Sequence, residues 1–168
     1  MASEPTAVPR RTRLVTRLVR EAARLLAAAG LALDSYLHAH LADRYDLVSA
    51  DISQGTLFRI EAGFAAAAAL LILVWRRWPA ELFAWSVATG GLTLLLIYRY
   101  ANIGAWGPFP NMYEPIWYGD KDFTVVVQAV AIVATSYLLI TSFLMWSRGG
   151  RRRGRGRRRA HAAGSHRF

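Results

Sequence analysis

Residues 56–100 read TLFRIEAGFAAAAALLILVWRRWPAELFAWSVATGGLTLLLIYRY. Two apolar runs flank Trp75-Arg76-Arg77-Trp78-Pro79. The first opens with Arg59 and Glu61, and the second closes on Arg99. A membrane crossing needs roughly 20 apolar residues, and each run is close to that length. The charges are gathered at the join, and Pro79 suits the first turn of a following helix. The stretch predicts a membrane hairpin with an ionisable group near the far end of each arm.

Working outward, residues 123–146 form a third apolar run. Residues 25–43 form a fourth and weaker one, interrupted by Asp34, His38 and His40. Topology argues for counting it. With three crossings, one of the two Arg-rich ends would have to pass through the bilayer; with four, both stay on one side. The expected fold is an all-α, four-helix transmembrane bundle with spans at 25–43, 57–75, 82–98 and 123–146. Both termini are inside, and a long outer loop joins helices 3 and 4. That loop, 100–122, is rich in Pro, Gly and aromatic residues, which forbid a continuous helix and hold it at the headgroup level. Residues 1–24 read as a basic, partly amphipathic cytoplasmic segment. Residues 25–146 read as the transmembrane domain, and 147–168 as a disordered Arg-rich cytoplasmic tail.

Charge supports this orientation. The chain has 168 residues and a formal net charge of +10. Seventeen of its 21 Lys and Arg fall on the proposed inner side, in 1–24, at Arg76 and Arg77, and in the tail. Four fall outside: Arg44, Arg59, Arg99 and Lys121. That asymmetry matches the excess of positive charge in cytoplasmic segments, and it implies a multi-pass plasma-membrane protein. Because the Arg flank apolar runs, the reading assigns them to the bilayer and its anionic headgroups rather than to nucleic acid. Trp75, Trp78, Trp85 and Trp146 lie near one boundary, and Tyr98, Tyr100, Trp106, Trp117 and Tyr118 near the other. The absence of Cys excludes disulfides, thiolate metal sites and Cys catalysis. No cleavable signal peptide is expected, since the apolar run after the first Arg cluster holds Asp34 and His38 and lacks a small-residue exit.

Ionisable groups inside a membrane are costly and usually face the bundle interior. The site candidates are therefore Asp34, His38, Arg59, Glu61 and Arg99, with Glu114 in the outer loop. Asp34 and His38 are four apart and share a helix face; His38 is the interior histidine in this reading and His40 the interfacial one. His38, Glu61 and Gln128 fall at similar depth, whereas the inner half reads as almost purely apolar. Glu61 can pair with Arg99 or Arg59 in a structural network. Alternatively, the group can bind a small ligand at the outer face or relay protons. No HxxxH or ExxH spacing supports a metal, no Ser stands in a nucleophile elbow, and no phosphate loop is present. No cofactor is assigned and no catalytic residue is named; a non-enzymatic protein is favoured over an enzyme. Glu114, in Asn111-Met112-Tyr113-Glu114-Pro115, can fold over the outer mouth and reach Arg99 or Arg59.

The sequence His-x-His-Leu-Ala-x-x-Tyr-Asp at 38–46, followed by Gln54-Gly55-Thr56-Leu57-Phe58-Arg59-Ile60-Glu61-Ala62, resembles small four-helix integral membrane proteins of high-GC Gram-positive bacteria, families that are largely uncharacterised. The resemblance covers roughly residues 31–146. It implies a plasma-membrane location and no particular activity. The functional reading is an integral membrane protein with a polar site in the outer half, structural or ligand-binding. The alternatives are a proton-coupled transporter subunit and a redox or metal accessory protein, either with a membrane-protein partner.

Overall fold

The structure is a computed structural model that describes residues 10–164. Four helices account for most of it: α1 (Arg10–Leu41), α2 (Gln54–Val74), α3 (Trp78–Tyr100) and α4 (Gly119–Gly164). A short 3-10 turn, Ala42–Tyr45, follows α1. Among the described residues there is no strand, only isolated bridges at Ser49–Ser53 and Trp106–Phe109. The helices pack side by side in a ring: α1 lies on α2 and α4, and α3 lies on α2 and α4. One end of the ring carries the tight α2–α3 turn and is called here the hairpin end. The other carries residues 42–53 and 101–118 and is called the loop end.

The helix boundaries have local causes. Ser53 caps α2, its hydroxyl accepting from the Thr56 N–H at 3.0 Å. Pro79 occupies the first turn of α3. Two features differ from the sequence reading. First, α1 runs unbroken for 32 residues, about 48 Å at 1.5 Å per residue, joining the basic segment that ends at residue 24 to the expected first span at 25–43. Second, α4 continues past Ser147 to Gly164, where an unstructured tail was expected. Extending an existing helix avoids the cost of nucleating one, and Arg and Ala are good helix formers.

Among the described residues three helices are long and apolar enough to cross a membrane: Gln54–Val74, Trp78–Tyr100 and Gly119–Ser147. α1 is not among them, because Arg20, Glu21, Arg24 and Asp34 punctuate it. The core these helices share is built from small residues. Ala27, Ala65, Ala68, Ala84, Ala88 and Ala131 are fully buried, with Leu31, Ile72 and Leu138 as the large members. Large apolar side chains face outward instead, among them Leu70, Val74, Leu94, Val133, Ile140 and Phe143. Small residues inside and large ones outside is the packing rule of helices in lipid, where the solvent is itself apolar and close approach decides association. At Gly30 an added Cβ would stand 2.8 Å from the Val127 carbonyl oxygen, so α1 and α4 meet there almost backbone to backbone. At Gly63 of α2 an added Cβ would meet only open space.

Candidate functional site

At the loop end, Asp34 is fully buried on α1. One of its carboxylate oxygens, Oδ1, lies 3.1 Å from His38 Nδ1 and accepts from Gln128 Nε2 of α4 at 2.9 Å. The i,i+4 spacing sets the first contact, and the close α1–α4 approach at Gly30 sets the second. Gln128 is itself buried. Because a carboxylate only accepts, the Gln128 amide must turn its nitrogen toward Asp34, which leaves its oxygen facing away. Glu61 of α2 reaches the same level. A Cβ at Gly91 of α3 would stand 2.7 Å from Glu61 Oε1 and 2.6 Å from Gln128 Nε2, so the glycine makes room for both. All four helices thus contribute to one polar floor. Three of its buried oxygens have no hydrogen-bond partner: Asp34 Oδ2, Glu61 Oε1 and Gln128 Oε1.

Above that floor is a cavity of about 410 Å³. Its polar lining includes His38, Glu61, Glu114 and Lys121, and its walls are mainly apolar, from Leu57 and Phe64 of α2 to Leu94, Leu95 and Tyr98 of α3. Trp106, Phe109 and Met112 of the 101–118 loop line it as well. That loop is held down at several points. The Glu114 N–H donates to the Tyr98 carbonyl at 3.1 Å, and the Ile52 N–H donates to the Pro108 carbonyl at 3.0 Å. The Glu114 carboxylate accepts from the Tyr45 hydroxyl at 2.8 Å and lies 3.0 Å from Lys121 Nζ. Lys121 also donates to the carbonyls of Glu114 and Ile116. Tyr45 and Tyr118 share a 2.7 Å hydrogen bond. Burial, reinforced by those hydrogen bonds and the Glu114 charge, pushes the Tyr45 phenol well above its ordinary range. Burial also raises the Tyr118 phenol.

Of the sequence candidates, His38, Glu61 and Glu114 line the cavity, and Asp34 anchors His38 from below. His38 turns inward and His40 is exposed, stacked on Tyr36 with ring centroids 5.8 Å apart. Arg59 and Arg99 do not join the site. Arg59 is drawn to the surface by two carboxylates, Asp43 and Asp46, each at 2.7 Å. Its guanidinium holds the Asp46 carboxyl below the usual range. Arg99 lies over the rings of Tyr100 and Trp117, at 5.1 and 4.9 Å. The expected pairing of Glu61 with either arginine is therefore replaced by surface pairing and by cation–π contact. Glu114 does fold over the mouth, but its cation is Lys121, seven residues along the same chain.

The hairpin end overturns a further expectation. It is not purely apolar. Glu81, on the first turn of α3, is 1% exposed. Its Oε1 accepts from Arg20 and from Arg24, each at 3.2 Å, and its Oε2 accepts from the Ser142 hydroxyl at 2.6 Å. Arg20 also donates to the hydroxyls of Thr141 and Ser142. Nearer the turn, Arg76 pairs with Glu21. Arg20 and Arg24 belong to the 1–24 segment that the sequence marks as basic and partly amphipathic. Their i,i+4 spacing was the signal that could have placed both opposite a single carboxylate.

Among the described residues no group of three or more His, Asp or Glu is placed to hold a metal ion. Compared with protein families, with curated proteins and with solved structures, the chain finds no match.

Proposed function

We propose that this is a multi-pass plasma-membrane protein with four crossings and both termini in the cytoplasm, whose outer-half cavity binds a small ligand with a largely apolar body. One observation carries the ligand-binding reading: His38, Glu61 and Glu114, from two helices and a loop, converge on a roofed cavity of about 410 Å³. That volume is within the range of small-molecule sites, and a few polar groups in apolar walls are their usual composition.

The four-span reading draws support from the way α1 is turned. Leu14, Leu18, Leu25, Leu26 and Leu33 face outward, while Arg24 and Asp34 are buried against the other helices. A helix with charges inside and leucines outside suits lipid and not water. The loop end is then the outer face, and the hairpin end, beside Arg76 and Arg77, the cytoplasmic one. Basic residues at both termini would meet anionic headgroups.

A proton-coupled transporter would need a polar path through the inner half. There Ala84, Leu138 and Ile72 are fully buried and Glu81 is enclosed by its partners, which favours binding over transport.

The test is native mass spectrometry of the full-length protein purified in mild detergent, beside Leu95→Trp, which fills the cavity. A small-molecule adduct on the parent protein that Leu95→Trp abolishes, with both melting cooperatively, is the expected result. An adduct-free protein in native-lipid extracts, or an adduct unaffected by Leu95→Trp, would overturn the reading.

A further inference from the structure

Resting on that cavity reading, we infer that the ligand is a single-chain membrane amphiphile with a protonated amine, which enters sideways from the outer leaflet between α2 and α3. Two independent observations lead there.

The first is the chemistry of the floor. Three buried oxygens at this level have no partner and all are acceptors; of the residues that carry them, Glu61 lines the cavity and Asp34 and Gln128 lie behind it. A buried acceptor without a donor costs free energy, so the missing component should supply N–H or O–H groups. The local charge is also unbalanced. Glu114 has Lys121 beside it, and Asp34 has His38 and Gln128. Glu61 has no ion-pair partner among the described residues. An ammonium beside Glu61 brings hydrogen-bond donors and one positive charge to a carboxylate that has no ion-pair partner of its own.

The second is the shape of the opening. Ile60, Phe64 and Leu94 line the cavity, and they are 49%, 50% and 55% exposed. Exposure of that extent on cavity-lining residues of both helices places the lateral way in between the outer halves of α2 and α3. From above, the way in is covered by the loop clasped through Tyr45, Glu114 and Lys121. An apolar chain can therefore lie across Phe64 and Leu94 while its head reaches Glu61.

The experiment uses the full-length protein in phosphatidylcholine nanodiscs, offered n-dodecylamine, n-dodecanol and dodecanoate at equal concentration, with bound mass read by native mass spectrometry. Because a hydrogen bond to a charged group is worth more than a neutral one, the amine adduct should exceed the alcohol adduct by about tenfold or more, with dodecanoate weakest. Glu61→Gln should bring amine and alcohol to parity, and Glu61→Asp, which keeps the charge, should retain a preference. Leu95→Trp should remove all three adducts. Equal binding of the three probes by the parent protein, or an amine preference that survives Glu61→Gln, overturns the amine assignment and leaves cavity binding standing. If no probe binds the parent protein while a native adduct is present and sensitive to Leu95→Trp, the amphiphile class falls alone. If there is no adduct of any kind, both readings fall.

Discussion

Glu61 and Glu81 sit toward opposite ends of the same hairpin, and they have opposite fates. Glu81 is enclosed: two arginines and a serine occupy both of its oxygens. Glu61 shares a floor with Asp34 and Gln128, yet its Oε1 is buried with no partner, and the residue faces a cavity. The difference lies in what each end of the ring can supply. At the hairpin end the α2–α3 turn is short, and α1 brings Arg20 and Arg24 one turn apart to meet a single carboxylate. At the loop end the available cations have gone elsewhere. Asp43 and Asp46 draw Arg59 to the surface, the rings of Tyr100 and Trp117 hold Arg99, and Glu114 takes Lys121. A buried charge with all its partners is a structural clasp, and a buried acceptor left open beside a void is a place for something else to bind.

Substitutions at the two ends should separate these roles. The largest effect is expected from Glu81→Ala. It strands Arg20 and Arg24 in the interior, and breaking a buried ion pair in this way typically costs about 3–5 kcal/mol. A large fall in melting temperature, with any protein that remains folded still able to bind ligand, is the expected outcome. Gly91→Val at the loop end should cost less, about 1–3 kcal/mol, since the new side chain presses on the flexible ends of Glu61 and Gln128 rather than on backbone. It should cut ligand binding more than stability, as read by adduct formation against thermal melts.

Tyr45→Phe should cost about 1 kcal/mol and act only on the roof. Glu114 keeps Lys121, so the loop loosens without leaving, and hydrogen exchange across residues 101–118 should rise. The same clasp has a pH signature. The Tyr45 phenol is raised in the folded protein, so its contribution is fully present below the ordinary value of 10.0 and is lost as pH climbs above it. Trp106 fluorescence should report the roof loosening in alkaline buffer, and that transition should be absent from Tyr45→Phe. The smallest effect belongs to Arg59→Ala. Its partners are exposed, and such pairs contribute little and are screened by salt. The depressed Asp46 carboxyl makes that small contribution present above its ordinary value of 3.8 and lost as pH falls below it. A melting shift at low salt that vanishes at high salt is expected.

Much of the fold was legible from residues 56–100, because length and apolarity dictate a spanning helix with little help from tertiary context. Pro79 was readable for the same local reason. The first helix was harder. Its composition alone does not mark it as a span, and only the packed structure shows Arg24 and Asp34 turned inward with leucines outside. At the site, His38 could be chosen over His40 from the i,i+4 step to Asp34. The partners of Glu61 could not be chosen, because pairing depends on rotation and depth together. Arg59 is two residues from Glu61 and so faces another way on the helix, toward Asp43 and Asp46. The Glu81 clasp was missed because Arg20 and Arg24 sit within a longer basic run, where a polar surface face is the natural reading.

The orientation in the membrane has its own test. The chain has no cysteine, so Ala105→Cys in the roof and Arg77→Cys at the hairpin turn can each serve as a single label. A membrane-impermeant maleimide applied to intact cells should modify Ala105→Cys and not Arg77→Cys; the reverse pattern would invert the topology.

The contrast between the two glutamates is tested most directly by measuring Glu61→Gln and Glu81→Gln side by side, each for thermal stability and for n-dodecylamine binding. Glu61→Gln should melt within about 1 kcal/mol of the parent protein, since no partner is stranded, and lose its preference for the amine. Glu81→Gln should melt well below the parent and keep that preference. If Glu61→Gln proves the more destabilised of the two and still prefers the amine, the outer floor is a structural element and the assignment of roles to the two ends is wrong.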